Sequence, residues 1–361
     1  MEVSYGGQAV IEGVMMRGPR HMVLSVRGPD GKVVSLTRPL DSLAHRSKLA
    51  RLPIIRGAVS LWESLSLGIQ MLMKSAEIAA PEEEQPSERD LSLAVLFALV
   101  VGIGLFIAIP TYITPWLMGV LGISGRAWAS SIESAFRLVI LFIYVVSISR
   151  MEDIQRVLEY HGAEHKVIWA YEKHADQVEG LLKSGSEDRV AEDIPAGEGY
   201  AERRGLGGTG PDGQGPDSHD PDGRGPVLRM DVSGSQANVQ AAIEFLVEKA
   251  ADETTLHPRC GTSFLFIAVL VTWIVFLFVS PANLILRMAT RLAMLPVIAG
   301  LAYEVLKNSS KREGLLWDII KAPGIAMQRL TTRQADRDQL EVAATSLALL
   351  ILAESDSGDT N

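Results

Sequence analysis

The sequence predicts a mainly α-helical integral membrane protein with about four transmembrane helices, a small β-rich N-terminal unit and a disordered acidic insert. Two long runs without a charged residue indicate the membrane helices. One has 35 residues between Asp90 and Arg126, and the other has 27 residues between Arg259 and Arg287. A spanning helix needs about 20 apolar residues, so both runs are long enough. The insert is indicated by residues 176–228, which are rich in Gly, Pro and Asp and could not bury a core.

The composition agrees with a membrane protein and argues against a nucleic-acid-binding protein. Hydrophobic residues make up 47% of the chain, and the mean hydropathy is +0.18. The formal net charge is −9, but residues 176–226 hold 12 acidic and 5 basic side chains and so account for −7 of it. The remainder lacks the positive charge with which proteins bind phosphate backbones. We therefore expect the lipid bilayer as a partner and no nucleic acid, while the sequence identifies no protein partner.

Residues 1–50 are predicted to form the β-rich unit. The apolar stretches 23–26 and 33–36 flank Gly28-Pro29-Asp30-Gly31, a composition that favours a turn between two strands. The glycine-rich stretch 6–18 precedes them, and we interpret it chiefly as a structural strand. Three of its polar side chains could nevertheless line a site: Gln8, Glu12 and Arg17.

Residues 52–75 are predicted to form a helix that lies in the membrane interface or packs against the bundle. Arg56 and Glu63 interrupt its apolar residues, and such a helix is better suited to an interface than to the bilayer core. An acidic linker, residues 76–90, follows.

The first two transmembrane helices are predicted within residues 91–149. The first runs from about 91 to 109, where Pro110 and Pro115 are expected to end or kink it. The second covers about 129–149. The third and fourth are predicted within residues 263–306, at about 263–280 and 283–306.

The predicted spans contain a few charged residues, which could mark a transporter. Glu133 and Arg137 are one helical turn apart and can pair, and both lie in the first two turns, so we expect them to reach the membrane surface. Arg287, Arg291 and Glu304 also lie toward the ends of a span. A transporter is the less favoured hypothesis, because paired broken helices of the kind that mark transport sites are missing.

The central loop and the C-terminal region complete the predicted organisation. Residues 150–175 are predicted to form a metal-motif helix, and 176–228 the disordered insert. Residues 229–262 form a return segment with a short helix near its middle. Residues 307–361 are predicted to form cytoplasmic amphipathic helices and a tail.

Four spans place the N-terminus, the central loop and the C-terminus on one side of the membrane. Lys and Arg flank the spans mostly on that side, whereas only Arg126 lies between the first two spans. The positive-inside rule then predicts a multi-pass protein of the bacterial cell membrane with both termini in the cytoplasm.

The metal-binding prediction rests on His161-Gly162-Ala163-Glu164-His165, which has the H-x-x-E-H pattern of the inverted zincins. On a helix, His161 and His165 lie one turn apart on one face, as two ligands of one metal ion must. Glu164 lies beside that face, where it could act on a water molecule. Glu172, three turns beyond His161, returns to almost the same angle. Two histidines on one face also occur by coincidence or as a hydrogen-bonding pair, so this alternative stays open.

His257 and Cys260 are the remaining predicted ligands, because imidazole and thiolate are both good zinc donors. Alternatively, Cys260 packs as a small apolar residue at a helix start. The geometry presents a difficulty, since Cys260 adjoins the membrane boundary and His161 lies 12 residues beyond Ser149, about 18 Å along a straight helix. The two parts meet only if the motif helix bends along the surface or the 257–262 turn rises from it.

Several stretches are distinctive in combination: GGQAVIEGVMMR at 6–17, PIIRG at 53–57, YHGAEHK at 160–166, HPRCGTSF at 257–264, and APGIAMQRLTTR with DQLEVA within 322–343. Together they resemble the YqhQ-like family of bacterial membrane proteins, a domain of unknown function labelled as a predicted metal-dependent enzyme. The resemblance covers nearly the whole chain. It implies a bacterial multi-pass membrane protein with a metal-dependent activity, and it supplies no substrate. The connection at 176–228 is longer than in most members, which favours an accessory insert.

The leading functional hypothesis is a membrane-embedded metal-dependent enzyme, a zinc hydrolase with its site at the cytoplasmic face. His161 and His165 would bind the divalent metal, and Glu164 would be the general base. His257, Cys260 or Glu172 would complete the ligand set. The alternative is a non-catalytic membrane scaffold or interaction protein, in which four protein ligands close a structural metal site.

Overall fold

The computed structural model describes residues 5–40, 52–81, 87–184, 228–231, 237–258, 260–279, 283–312 and 314–356. They form a mostly helical protein with one small antiparallel sheet, so the coarse predicted fold is confirmed. The described helices are α1 (Pro53–Ala79), α2 (Glu88–Ile103), α3 (Ile109–Leu121), α4 (Arg126–Ile148), α5 (Glu152–Ser184), α6 (Ala237–Ala251), α7 (Thr262–Phe278), α8 (Leu284–Lys311), α9 (Leu315–Thr331) and α10 (Arg337–Asp356).

The sheet has the strand order β1 (Gly6–Val10), β2 (Gly13–Arg17), β3 (His21–Arg27), β4 (Val33–Pro39) and β5 (Leu228–Asp231). Each strand is antiparallel to its neighbour, and the order of the strands in the sheet is the same as their order in the sequence. The predicted hairpin is confirmed as β3–β4, in which Leu24 pairs with Leu36. β1 and β2 form a second hairpin, which turns at Ile11 and Glu12. Glu12, the second residue of this turn, adopts the left-handed conformation with φ of 51°, as the third position of a type II turn requires.

One face of the sheet packs against α5, α6 and α10 to form the largest core of the protein. Val14, Met16 and Val23 contribute from the sheet, in the alternation expected of strands with one buried face. We call β1–β5 with α5, α6 and α10 the sheet unit. α10 crosses the centre of this core, and its Ser346 hydroxyl donates a hydrogen bond to the Val23 carbonyl at 2.9 Å.

The burial of α10 corrects the prediction for residues 307–361. The sequence predicted an amphipathic helix, but residues 342–351 of α10 are buried on all sides. The physical reason is that its uncharged stretch has apolar neighbours on both sides, the sheet on one and α5 and α6 on the other. Such an arrangement depends on partners distant in sequence.

α1 joins the sheet unit to the other helices. The second face of the sheet, with Met15, Met22 and Leu24, packs against Met71 of α1. The opposite end of α1 packs along α8, where Arg56 and Glu304 form an ion pair at 2.7 Å. α1 therefore lies partly in each region, which agrees with the prediction of a bundle-packed helix at 52–75.

The helices α2 to α4 and α7 to α9 form a bundle with an apolar exterior. Among the described residues, three segments are long and apolar enough to cross a membrane: Arg89–Leu121, Arg126–Ile148 and Ile285–Ser309. The third predicted span corresponds to α7, which is apolar but has only 17 residues. The structure therefore has three helices of sufficient length where the sequence predicted four spans.

The first long segment corrects the predicted helix end at Ile109. α2 passes through a π-helical turn, Gly104–Ala108, directly into α3. Pro110 therefore lies inside a continuous helical segment, directly after the π-helical turn, and cannot donate a backbone hydrogen bond to the preceding turn. A π-type adjustment is one way in which an apolar helix accommodates proline without ending.

The charged residues of the bundle also differ from the prediction. Glu133 and Arg137 do not reach the surface; they are only 3% and 7% exposed. The Glu133 carboxylate accepts hydrogen bonds from Arg137 and from Arg291 of α8. We call these three residues the ion triad. The physical reason is the partner on another helix: pairing with Arg291 and Arg137 offsets part of the desolvation cost that an isolated buried Glu133 would bear in full.

The backbone of α5 has a kink at His174 (φ −132°, ψ 26°), close to the predicted end of the motif helix at 175. A further helical segment continues from the kink to Ser184, and Leu228–Asp231 forms β5. The rest of the predicted insert, residues 185–227, lies outside the described residues, as do residues 82–86 of the acidic linker and 357–361 of the tail.

Candidate metal centre

The H-x-x-E-H stretch lies on α5, which is helical throughout this region as predicted. His161 and His165 have ring centroids 4.5 Å apart. Gly162 lies on a different side of the helix, against the segment that follows α9. A side-chain carbon at Gly162 would collide with the Arg333 carbonyl oxygen, so this glycine allows α5 and that segment to approach closely.

Each of the two histidines is held by a backbone carbonyl. His161 Nδ1 lies 2.7 Å from the Thr331 oxygen, and His165 Nδ1 lies 2.5 Å from the Thr255 oxygen. A carbonyl can only accept a hydrogen bond, so Nδ1 carries the proton in both rings. The Nε2 atom of each neutral ring then has a lone pair available for a metal ion, which is the usual arrangement of metal-binding histidines.

Cys260 completes a group of three possible ligands with His161 and His165. One donor atom from each residue can be chosen so that all three lie within 4.8 Å of one another. His161 Nε2 lies 3.3 Å from Cys260 Sγ. Two ligands of one tetrahedral zinc ion are about 3.5 Å apart, given zinc–ligand bonds of 2.0–2.3 Å. The donor set and the spacing therefore fit a zinc ion after small side-chain rotations.

The distance problem raised by the sequence does not arise in the structure, because His161 and Cys260 are in contact and a break in the helix separates α4 from α5. α4 ends at Ile148 and α5 begins at Glu152, so the motif helix is not a straight continuation of the span. On the other side, Cys260 lies in a turn just before α7, in which Ser263 N donates to the Cys260 carbonyl at 3.2 Å. The two parts of the predicted site therefore meet, with His161 and His165 on α5 and Cys260 in the turn before α7.

Glu164 lies beside this group and is 5% exposed. Its pKa is raised by burial; the nearby His161 and His257 and a hydrogen bond from the Gly7 N–H act in the opposite direction. Its Oε2 atom has no hydrogen-bond partner among the described residues. A buried carboxylate oxygen without a partner is costly, so this atom marks a position where a water molecule or a ligand group could be bound.

His257 and Glu172 are close to the site but outside the group of three, so of the three residues predicted as alternatives to complete the ligand set, Cys260 is the one that belongs to the group. The His257 ring lies 5.6 Å from that of His165, and its Nε2 lies 3.8 Å from Glu172 Oε2. The backbone of His257 is held by Gln328. The Gln328 side-chain oxygen accepts a hydrogen bond from the His257 backbone N–H, and its side-chain nitrogen donates to the His257 backbone carbonyl, both at 2.8 Å. Burial lowers the pKa of His257, which favours its neutral form.

A cavity of about 400 Å³ opens onto the candidate ligands. Its walls are β1, one face of α5 and the turn before α7. Of the three polar residues predicted from the glycine-rich stretch, only Gln8 lines this cavity. Glu12 instead pairs with Arg156, and Arg17 donates to the Ser64 hydroxyl at 2.9 Å.

The supporting residues Thr255, Gln328 and Thr331 were not predicted from the sequence. They act through backbone or amide groups, which have no distinctive spacing. The stretch 322–333 was distinctive in the resemblance, however, and it contains both Gln328 and Thr331. That stretch was the available sequence evidence for their importance.

Comparison with known proteins identifies the family. The family model described as "Protein of unknown function (DUF1385)" matches residues 52–182 and 237–352. The "Uncharacterized protein YqhQ" of Bacillus subtilis (strain 168) is 27% identical over 367 residues, covering 98% of this chain and 93% of the Bacillus protein. No solved structure matches the chain. The descriptions name no activity, so the predicted metal dependence stays a prediction. The predicted family is confirmed: the chain belongs to DUF1385, the family of proteins that resemble YqhQ.

Proposed function

We propose that this protein is a membrane-embedded, metal-dependent hydrolase whose site lies at the cytoplasmic end of the helix bundle. The observation that carries the proposal is the pair of Nδ1–carbonyl hydrogen bonds on His161 and His165. These bonds leave the Nε2 lone pairs of both rings available, and His161 Nε2 lies 3.3 Å from Cys260 Sγ.

The distribution of polar residues supports a position in the membrane. Large apolar side chains of the long helices are exposed, among them Phe97, Trp116 and Ile285. Polar side chains are buried inside the bundle, among them Thr111 and Thr114. A soluble protein has the reverse arrangement, whereas a bundle surrounded by lipid needs an apolar exterior.

The proposed topology has four crossings, with α7 as the shortest. Its 17 residues are at the lower limit of the length that crosses a bilayer. The end of α4 and the start of α7 both adjoin the sheet unit. Arg333, which packs against α5 of that unit, donates to the Ser149 carbonyl at the end of α4 at 2.9 Å. Cys260, just before α7, contacts His161 of α5. Both termini and the sheet unit would then lie on the cytoplasmic side, with the Lys- and Arg-rich flanks.

The chemistry assigned to the site is hydrolysis. When bound, a zinc ion polarises a carbonyl or phosphoryl oxygen and brings the pKa of water near neutrality. His161, His165 and Cys260 would hold it. Glu164, with one oxygen free among the described residues, takes a proton from the attacking water and returns it to the leaving group. The three protein ligands leave one position open, which favours an enzyme over a closed structural site.

Zinc content tests the metal assignment. The full-length protein, purified in detergent with zinc and then dialysed, is expected to retain about one zinc ion per chain. His161→Ala should lose it. The matched control is His174→Ala, on the same helix, because the His174 ring contacts Phe245 and lies outside the group. Equal zinc content in wild type and His161→Ala would refute the assignment.

A further inference from the structure

One edge of the described sheet borders the candidate metal centre. β1 is the first strand in the sheet order, so only β2 pairs with it in the described part of the sheet. Residues 6–9 of this strand line the same cavity as His161 and Cys260. The cavity is therefore a groove between the edge of β1 and the motif face of α5.

The hydrogen-bonding groups of this edge can be assigned from one contact. The Gly7 N–H donates to the Glu164 carboxylate, so it points away from β2. In an antiparallel pair, residues alternate between pairs that exchange hydrogen bonds and pairs that do not. Gly7 pairs with Met16 and Ala9 pairs with Val14. These two pairs are therefore of the kind that does not exchange hydrogen bonds across the two strands. The N–H and C=O of Ala9 therefore also point outward, toward the groove.

Nothing in the sequence of this edge protects it from pairing with another chain. Natural edge strands are usually blocked by Lys, Pro or a bulge. Here the edge is Gly6-Gly7-Gln8-Ala9-Val10, without a charge or a proline. Gly6 has open space where a side chain would be, and at Gly7 a side-chain carbon would lie only 2.9 Å from Glu164. Because Gly6 has no side chain, its backbone is accessible from the groove. Because Gly7 has no side chain, its backbone can approach Glu164, the proposed general base.

We infer that the substrate is a polypeptide, which binds in extended conformation as an added strand on the edge of β1 and is cleaved at the candidate metal centre. This inference rests on the proposed hydrolase function and names its substrate class. The Gly7 N–H is bonded to Glu164, so the edge offers the Gly7 C=O and the N–H and C=O of Ala9 to a bound chain. Outward backbone groups two residues apart match the repeat of an extended peptide, whereas a lipid ester or a sugar has no such repeat. Val157, Leu158 and Ile168 on the α5 wall suit apolar side chains of the bound segment.

The cleavage step uses water as the only co-reactant. The water oxygen forms a bond to the peptide carbonyl carbon while Glu164 accepts the water proton. The C–N bond then breaks, and Glu164 returns the proton to the leaving amine. The new carboxylic acid then gives its remaining proton to the amine, so the products are a carboxylate and a protonated amine, and no oxidant or reductant is required.

Ala9→Pro tests the edge without touching the ladder to β2. Proline removes the Ala9 N–H, which points into the groove, and proline is tolerated at edge strands when its N–H faces outward. Ala9→Ser is the matched variant that keeps the N–H. Zinc-loaded full-length protein in detergent would be assayed with a sequence-randomised fluorogenic peptide library and with p-nitrophenyl acetate, an ester too small to pair with a strand. We expect the ratio of peptide to ester hydrolysis to be about tenfold lower in Ala9→Pro than in Ala9→Ser.

A second measurement covers the case in which Ala9→Pro does not fold. A peptide cleaved by the wild-type protein would be resynthesised with N-methyl groups on alternate backbone nitrogens. One of the two methylation patterns should abolish cleavage, because only one set of N–H groups faces β1. Equal cleavage of both patterns would overturn strand addition.

The remaining outcomes separate this inference from the proposed function. Equal ratios in Ala9→Pro and Ala9→Ser would overturn binding at the edge. Hydrolysis of the ester without cleavage of any library peptide would overturn the substrate class and leave the hydrolase in place. Wild-type protein that hydrolyses neither substrate would overturn the proposed function and this inference together.

Discussion

His161 Nε2 lies 3.3 Å from Cys260 Sγ, although 99 positions separate the two residues in the sequence. The contact joins the motif helix to the start of the most apolar helix of the bundle. Since Cys260 is the only cysteine, a single thiol reports on this contact.

Zinc should protect Cys260 from alkylation. A metal-bound thiolate is shielded, so we expect N-ethylmaleimide to react at least about tenfold more slowly with zinc-loaded protein than with chelator-treated protein. The rate is followed by intact-protein mass spectrometry. In His161→Ala the addition of zinc should make little difference. Alkylation rates in wild type that do not depend on zinc would exclude Cys260 as a ligand.

Glu164→Gln separates an enzyme from a scaffold. Glutamine keeps the size of the side chain but cannot take a proton, so we expect hydrolysis to fall by about 10²–10⁴-fold while zinc content stays at the wild-type value. The variant should also fail to complement a deletion strain under a condition that gives that strain a phenotype. Complementation by Glu164→Gln, with failure of His161→Ala and His165→Ala, would instead indicate a structural metal.

Gly162→Ala should destabilise the protein, because the new methyl group would collide with the Arg333 carbonyl oxygen. Overpacking of this kind costs about 1–3 kcal/mol in the free energy of unfolding. Gly180→Ala, on the same helix, meets no atom within 4 Å and should stabilise by about 0.5–1 kcal/mol. Thermal unfolding in detergent measures both. A Gly162→Ala variant as stable as Gly180→Ala would contradict the close packing of α5.

Glu133→Gln should strongly destabilise the bundle, because it leaves Arg137 and Arg291 without their shared carboxylate. Removing one partner of a buried ion pair costs about 3–5 kcal/mol. The control is Arg126→Gln, a charge change at an exposed residue at the start of the same helix. Equal melting temperatures of the two variants would show that the ion triad contributes little to stability.

Cysteine labelling tests the proposed orientation. In a Cys260→Ser background, Ser124→Cys lies between α3 and α4 and should react with a membrane-impermeant maleimide on intact cells. Ser184→Cys, at the end of α5, should react only after permeabilisation. Labelling of Ser184→Cys from outside would reverse the proposed topology.

Much of the architecture follows from local sequence alone. The long apolar helices, the β3–β4 hairpin and the helical H-x-x-E-H stretch depend on run length, turn residues and periodicity, all of which are properties of consecutive residues. The family could also be predicted, because its distinctive stretches are short and contiguous. The transition at Pro110 could not, since whether a proline ends a helix depends on how its neighbours adjust.

Only the tertiary structure decided the contacts between distant segments. It buried α10 between the sheet and two helices, joined Arg291 to Glu133, selected Cys260 rather than His257 as the neighbour of His161, and placed the edge of β1 beside the motif helix. Each of these contacts joins segments that are far apart in the sequence, so it depends on how the helices and strands pack against one another. The sequence determined which chemical groups are available on each element, and the packing of the elements determined which groups meet.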